Sequence, residues 1–470
     1  MTESSGLRRS LGFTDLVLIT MGTVIGSGIY LVPSLVLRQT GEQTTLALAV
    51  WAIAGVLSLL GALTYAELGA MRPEAGGLYA YIRDAFGPLP AFLYGWASFV
   101  VIASGSIAAL AVAFANYLKP LIPGVPLPAW LISVITIVIV AAVNVRGTRD
   151  SATVQNWTTG AKVGVLTVLS LVLIARGGTT VAAATAPASA PNVSLAAGIG
   201  AAMIGVLWAY EGWQYVTFSA GEARDPQRTF PRAISIATLL LIVLYMLANV
   251  GYVAALGPNA AANSQRVAAD AVGTVFGPVA GSIVAALILV SIFSALNGMV
   301  LTAPRMYFAM ARDGLFFERM GGVHSRFGTP AFAIITFAAW GAALAASGTF
   351  EQLLTYAVFT GWIFYALGAL AVFALRRREP NAVRPFRVPG YPVTPVLFVA
   401  AAVALVINTI ATQTGHAAIG LGVVAAGVPV FVAWRSVRRT RHPSGASTPA
   451  LDTSPHSVAT VRSHTDRSDA

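Results

Sequence analysis

Long stretches of the chain contain no Asp, Glu, Lys or Arg, among them Phe86–Leu118, Ala233–Gln265, Ala271–Pro304, Phe327–Phe350 and Val388–Trp434. Each reaches or exceeds the ~20 residues that a helix needs to cross a hydrocarbon core. In lipid, only helices and closed barrels satisfy every backbone donor and acceptor. Continuous apolar runs of this length read as helices. The whole chain agrees, with 56% hydrophobic and 10% charged residues among 470 and a mean hydropathy of +0.75. A soluble domain carries roughly 25% charge. The expectation is an all-α integral membrane protein.

Hydropathy places spans near 13–37, 44–69, 86–117, 128–145, 153–175, 195–220, 232–256, 274–311, 330–347, 352–375, 393–412 and 417–435. That makes twelve transmembrane helices, with both termini on one side. The 29 basic residues fix which side. With the termini inside, only Arg38, Lys119, Arg176 and Arg266 fall outside, Lys162 lies in the middle of a span, and the other 24 count as inside. Such a bias marks cytoplasmic loops. It also accounts for the net charge of +11 without nucleic acid. Residues 1–12 read as a cytoplasmic N-terminus, 13–435 as the membrane domain and 436–470 as a disordered cytoplasmic tail. Gly177–Pro191 reads as an outer linker. No cleavable signal is evident, because the first apolar run is too long. Pro231 fits the first turn of span seven.

The first span is built to break. Its middle holds Gly26-Ser27-Gly28, with Pro33 following, and glycine and proline weaken a helix interior. A broken helix in lipid leaves backbone groups unpaired, and is tolerated only beside protein or a cavity. Freed N–H groups can hold a carboxylate and freed carbonyls a cation. Small residues can equally serve close helix packing. A second interruption decides between these readings. Span six carries Glu211-Gly212 in mid-membrane, between Trp208 and Trp213. Spans one and six head two five-span halves, and paired interruptions at corresponding positions point to a transporter site.

Lys162, inside span five, either snorkels to the cytoplasmic face or acts as a buried positive charge that holds freed carbonyls. Gly160 and Gly164 beside it suggest a close helix neighbour. Glu67 reads as an interfacial charge, and Glu222, Arg224, Asp225 and Arg228 as a cytoplasmic network. Tyr356 and Tyr365 read as packing.

These residues resemble the amino acid–polyamine–organocation (APC) superfamily, and within it the L-type amino acid transporter (LAT) branch, over roughly residues 10–400. The motifs are Gly26-Ser27-Gly28-Ile29-Tyr30, "YAELGAMRPEAGGLYAYIRDAFGPLPAFLYGW", "WAYEGWQYVTFSAGEARDPQRTFPRAI", "FSALNGMVLTAPRMYFAMARDGLF" and "FALRRREPNAVRPFRVPGYP". The resemblance implies a 5+5 inverted repeat, with repeats at about 13–175 and 195–375 and two extra helices at about 393–435. Helices one and six are discontinuous in that fold. It implies that Ile25, Gly26, Ser27, Gly28 and Ile29, together with Trp208, Ala209, Tyr210, Glu211 and Gly212, hold the substrate. N–H groups of Ser27, Gly28 and Ile29 would take the α-carboxylate. Carbonyls near Ile25, Trp208 and Glu211 would take the α-ammonium, with Trp208 as a lid. Lys162 would lean on span one near Gly26.

The implied activity is sodium-independent secondary active amino acid transport, by exchange or proton symport, in a plasma (inner) membrane. An acid at 211 also suits a polyamine or cationic amino acid carrier, or proton coupling. Partners are the amino acid substrate and membrane lipid. The chain contains no cysteine, so no disulfide-linked subunit or thiolate metal site is expected, and separately no cofactor is expected. An intramembrane enzyme is disfavoured, since Ser27 has no histidine base within its span. No repeated filter motif suggests a channel.

Overall fold

The computed structural model describes residues 9–178, 195–348 and 350–441. The expected tail from 442, residues 1–8 and most of the Gly177–Pro191 linker lie outside these. Residues up to Phe431 form one compact unit, and a second begins at Val432 within the last helix. Among the described residues the protein is helical, apart from an isolated bridge between Leu11 and Ala223.

The first half runs from α1 (Phe13–Val24) and α2 (Gly28–Gln39) through α3 (Thr44–Met71) to α4 (Leu78–Phe86). It continues with α5 (Pro88–Ala97), α6 (Ala103–Leu118), α7 (Ala129–Arg146) and α8 (Thr148–Arg176). The second half begins with α9 (Leu195–Ala209) and a 3₁₀ segment (Trp213–Glu222). It continues with α10 (Pro226–Asn263), α11 (Val267–Phe276), α12 (Pro278–Thr302), α13 (Pro304–Arg312), α14 (Ala331–Ser347) and α15 (Phe350–Arg378). Helices α16 (Val393–Thr412) and α17 (Thr414–Arg441) close the chain. Among the described residues nine helical segments are long and apolar enough to cross a membrane, or ten with α1 and α2 as one bent span.

Local chemistry sets several of these limits. Proline opens α5, α10, α12 and α13, where its missing N–H has no intrahelical partner to lose. Helix α10 starts at Pro226, so Pro231 sits in its second turn rather than its first. Hydroxyls of Ser58, Ser106, Thr136 and Thr238 fold back onto carbonyls four residues earlier, which satisfies them inside an apolar helix. The third expected span contains a π turn at Ser98–Ile102, which hydropathy does not register.

The packing is that of a membrane bundle. Helix α10 lies against α3 and α8, α2 against α9, and α1 against α8, α10 and α12. The α1–α2 break is thereby enclosed by protein. Large apolar side chains such as Val138, Ile139, Leu239, Val243 and Ile407 are exposed, while Trp51, Tyr65 and Tyr245 are fully buried. A continuous apolar exterior of this kind suits lipid rather than water.

Candidate functional site

The first break is narrow. Helix α1 ends with the Ile25 N–H on Met21 O at 2.9 Å, and the Gly26 N–H turns back to Val24 O at 2.8 Å. Helix α2 resumes at Gly28 with a 44° bend. Neighbouring helices claim carbonyls freed by the break. Lys162 Nζ, from α8, donates to Gly22 O at 2.7 Å and Ile25 O at 2.6 Å. Ser291 Oγ, from α12, donates to Ile25 O at 3.1 Å. Lys162 is buried, so it does not snorkel. A Cβ on Gly160 or Gly164 would meet open space. The close neighbours of Lys162 are therefore on its other face, at α1 and α12. The freed donors are treated differently. The N–H groups of Ser27, Gly28 and Ile29 have no acceptor among the described residues, as expected at a helix start.

The second break has the same form. The Tyr210 N–H reaches Val206 O and the Glu211 N–H reaches Trp208 O, and the chain then turns at Gly212, whose φ is +130°. Only glycine suits this position. A Cβ there would also lie 2.7 Å from the carbonyl carbon of Thr23. Thr23 Oγ1 donates to Gly212 O at 3.0 Å, which ties the two breaks together. Tyr245 Oη, from α10, lies 3.0 Å from Val24 O and 3.1 Å from Ala209 O. One hydroxyl thus serves both broken ends. Gly28 abuts Ala209 so closely that a Cβ would sit 2.5 Å from the Ala209 Cα.

Between the breaks lies a cavity of about 20 Å³, lined by Thr23, Val24, Gly26, Ser27, Gly28, Leu110, Trp208, Glu211 and Met299. It has room for one water; the breaks are drawn tight around it. Five of the residues expected to hold substrate meet here: Gly26, Ser27, Gly28, Trp208 and Glu211. Ile25, Ile29, Ala209 and Gly212 border the breaks through their backbones. Tyr210 turns away, with its ring edge-on to Trp51 at 5.9 Å and tilted against Tyr245 at 5.0 Å.

Glu211 is held on one oxygen only. Its Oε1 accepts from Tyr365 Oη at 2.6 Å and from Gln214 Nε2 at 3.2 Å. Glu211 Oε2 and Ser27 Oγ are both buried and have no hydrogen-bond partner among the described residues. Tyr365 is therefore more than packing, because it positions the one acid at the site. Sequence reasoning passed over Tyr245, as it did Ser291 and Gln214, and read Tyr365 as packing. Each tyrosine is one of several hydroxyls on an apolar helix, and nothing in the sequence singles it out.

A family profile described as amino acid permease matches residues 11–431, almost all of the described chain. The chain belongs to the amino acid permease family. Within the APC superfamily it falls in the LAT-like branch, and it is a membrane transporter rather than an enzyme. The permease is 31% identical to the serine/threonine exchanger SteT of Bacillus subtilis, over 92% of this chain and 98% of that one. It is 34% identical to human b(0,+)-type amino acid transporter 1, over 87% and 84% of the two chains. It is 30% identical to the human cystine/glutamate transporter, over 92% and 87%.

Beyond the breaks, the permease is clasped by charged pairs at the end that carries most of its arginines. Glu67 is buried rather than interfacial. Arg376 grips both its oxygens at 2.8 and 2.6 Å, and the Val388 N–H donates to it at 2.7 Å. Glu222 pairs with Arg305 at 2.7 Å, both fully buried, and not with Arg224 or Arg228. Arg305 also bonds Leu301 O. Arg83 meets Asp313 at 2.5 Å and Asp84 at 2.8 Å. Burial works against the Arg83 charge, but these two carboxylates hold it above the ordinary guanidinium range. The Ser10 and Leu11 N–H groups donate to Glu222 O, which ties the N-terminal segment to the chain just past the second break. The Asn297 of the α12 motif lies in a buried amide cluster. It accepts from Asn144 at 2.9 Å and donates to Gln155 at 3.1 Å.

Proposed function

We propose that the permease carries α-amino acids by sodium-independent secondary active transport, as an exchanger or proton symporter, through alternating access at the cavity between the two breaks. One observation carries this reading. Unpartnered donors at Ser27, Gly28 and Ile29 stand at the head of α2, and the unpartnered acceptor Glu211 Oε2 lines the cavity they border. Donors at a helix N-terminus suit a carboxylate. Ile25 O, expected as an ammonium acceptor, already receives Lys162 and Ser291. That leaves Glu211 to receive an ammonium.

Lys162 supports sodium independence. Its amino group occupies the carbonyls that a broken helix could offer to a metal cation. The reading includes twelve spans: α1–α2, α3, α5–α6, α7, α8, α9 with the 3₁₀ segment, α10, α12–α13, α14, α15, α16 and α17. The first ten form two inverted halves at about 13–175 and 195–375, and the last two are the extra pair. Both termini face the cytoplasm of a prokaryotic-type plasma membrane. Without cysteine the chain needs no disulfide-linked subunit.

A second reading, a carrier of cationic amino acids or polyamines, is favoured by Glu211. Its unpartnered oxygen is an anionic acceptor buried in the cavity wall. Purified protein in proteoliposomes tests both readings, with labelled L-serine, L-leucine and L-arginine as substrates. The first reading expects uptake that persists when choline replaces sodium. It also expects stimulation by unlabelled internal amino acid or by an inward proton gradient. Uptake that requires sodium contradicts it. Uptake of L-arginine alone favours the second reading.

A further inference from the structure

A second cavity is separate from the break site. It measures about 410 Å³ and is walled by α2, α9, the α10–α11 turn, Thr355 of α15 and the α16–α17 turn, with Ser34, Arg38, Gln39 and Gln413 on its polar side and Leu31 and Ile204 on its apolar side. That volume is within the range of small-molecule sites. Three features make it a built site. Ser34 Oγ is buried, with its residue 2% exposed, and has no hydrogen-bond partner among the described residues. Arg38 is anchored by Nη1 on Ala262 O at 2.7 Å, and no acidic partner is described for it. No Asp or Glu lines the cavity.

We propose that this cavity is a second, peripheral site for a zwitterionic amino acid. The Arg38 guanidinium takes the α-carboxylate, Ser34 Oγ and the side-chain amide oxygens of Gln39 and Gln413 take the ammonium, and the aliphatic wall takes the side chain. Arginine is suited to a carboxylate because its planar fork donates in pairs. The proposal rests on the transport reading above, which puts Arg38 at the outer end of the bundle. Cavity and break site share α2 and α9, so the peripheral site would load substrate from the outer medium just beyond the closed breaks. Amino acid bound here meets a neutral acceptor set, so the site does not select for a cationic side chain.

Uptake measured from both faces tests the proposal. Right-side-out and inside-out vesicles are compared for wild type, Arg38→Gln, Arg38→Lys and Ser34→Ala, with labelled L-serine, L-leucine and L-arginine. The expected result is a KM about tenfold to a hundredfold higher for entry from the outer face in Arg38→Gln, the scale of one lost charge-assisted hydrogen bond. Its maximal rate and its inner-face KM should not change, and Arg38→Lys should recover part of the loss. Equal KM values for wild type and Arg38→Gln at the outer face overturn the proposal, as does a fall in maximal rate alike at both faces. Competition by sulfate but not by amino acids for the outer-face effect also overturns it, by marking an inorganic anion site. Absence of uptake in wild type would contradict the transport reading instead, so the two failures are distinct.

Discussion

Lys162 Nζ lies 2.6 Å from the carbonyl of Ile25, the residue at which the first membrane helix breaks. It also reaches Gly22 O, one turn earlier. A buried amino group and two orphaned carbonyls are each costly in lipid, and they satisfy one another here. Replacing Lys162 by Ala leaves Gly22 O unpaired, at about 1–3 kcal/mol, and leaves Ile25 O to Ser291 alone. Lys162→Ala should express but melt earlier than wild type, with uptake reduced at least about tenfold. Wild-type uptake in that variant would remove Lys162 from the account.

The contact of Gly28 with Ala209 gives a second prediction. Any Cβ at position 28 lies within 2.7 Å of the Ala209 backbone or side chain, and backbone cannot move aside as a flexible side chain can. Gly28→Val should hold the two breaks apart and abolish uptake, while overall helicity by circular dichroism is unchanged. Gly160→Val, in open space on α8, should transport normally and serves as the control.

Glu211 and Tyr365 separate the two substrate readings. Tyr365→Phe removes the shorter of the two hydrogen bonds to Glu211 but leaves the acid in place. Glu211→Gln removes the charge. If the acid selects cationic substrates, Glu211→Gln loses L-arginine uptake and keeps L-leucine uptake, measured in the same proteoliposomes. Tyr365→Phe then changes the KM for both substrates without reversing the preference. Equal loss of both substrates in Glu211→Gln would mean that Glu211 serves the α-ammonium common to all.

The two breaks were legible in the sequence because glycine beside a polar residue is conspicuous in an apolar run. Gly26-Ser27-Gly28 and Glu211-Gly212 both stand out in this way, and Lys162 stands out as a basic residue in the middle of a span. What holds the breaks together was not legible. Tyr245 and Tyr365 look like ordinary packing on apolar helices, and their role depends on which carbonyl or carboxylate a distant helix brings within 3 Å. The charged clasp failed to show for the same reason. Glu222 was grouped with its neighbours in sequence, yet its partner Arg305 lies 83 residues away. Helix α4 and the π turn at Ser98–Ile102 were missed because hydropathy registers apolar content and not backbone geometry.

That buried pair supplies a stability prediction. Arg305 and Glu222 are 0% and 1% exposed, so removing one partner strands the other in a medium that cannot solvate it. Arg305→Ala should cost about 3–5 kcal/mol and lower the melting temperature of the purified protein. The double variant Glu222→Gln with Arg305→Met should recover much of that loss, since two neutral groups of similar size carry no stranded charge. A double variant less stable than Arg305→Ala would contradict this account of the pair.

The central claim is that the space between the two breaks is where the amino acid binds, and the absence of cysteine makes it directly testable. Ser27→Cys places a single thiol of nearly the same size at the cavity wall. Its rate of modification by a small methanethiosulfonate reagent is measured in proteoliposomes with and without saturating substrate. The account predicts that modification stops transport and that a transported amino acid slows it several-fold, whereas a non-transported one does not. A thiol that reacts at the same rate whether or not substrate is present would contradict it.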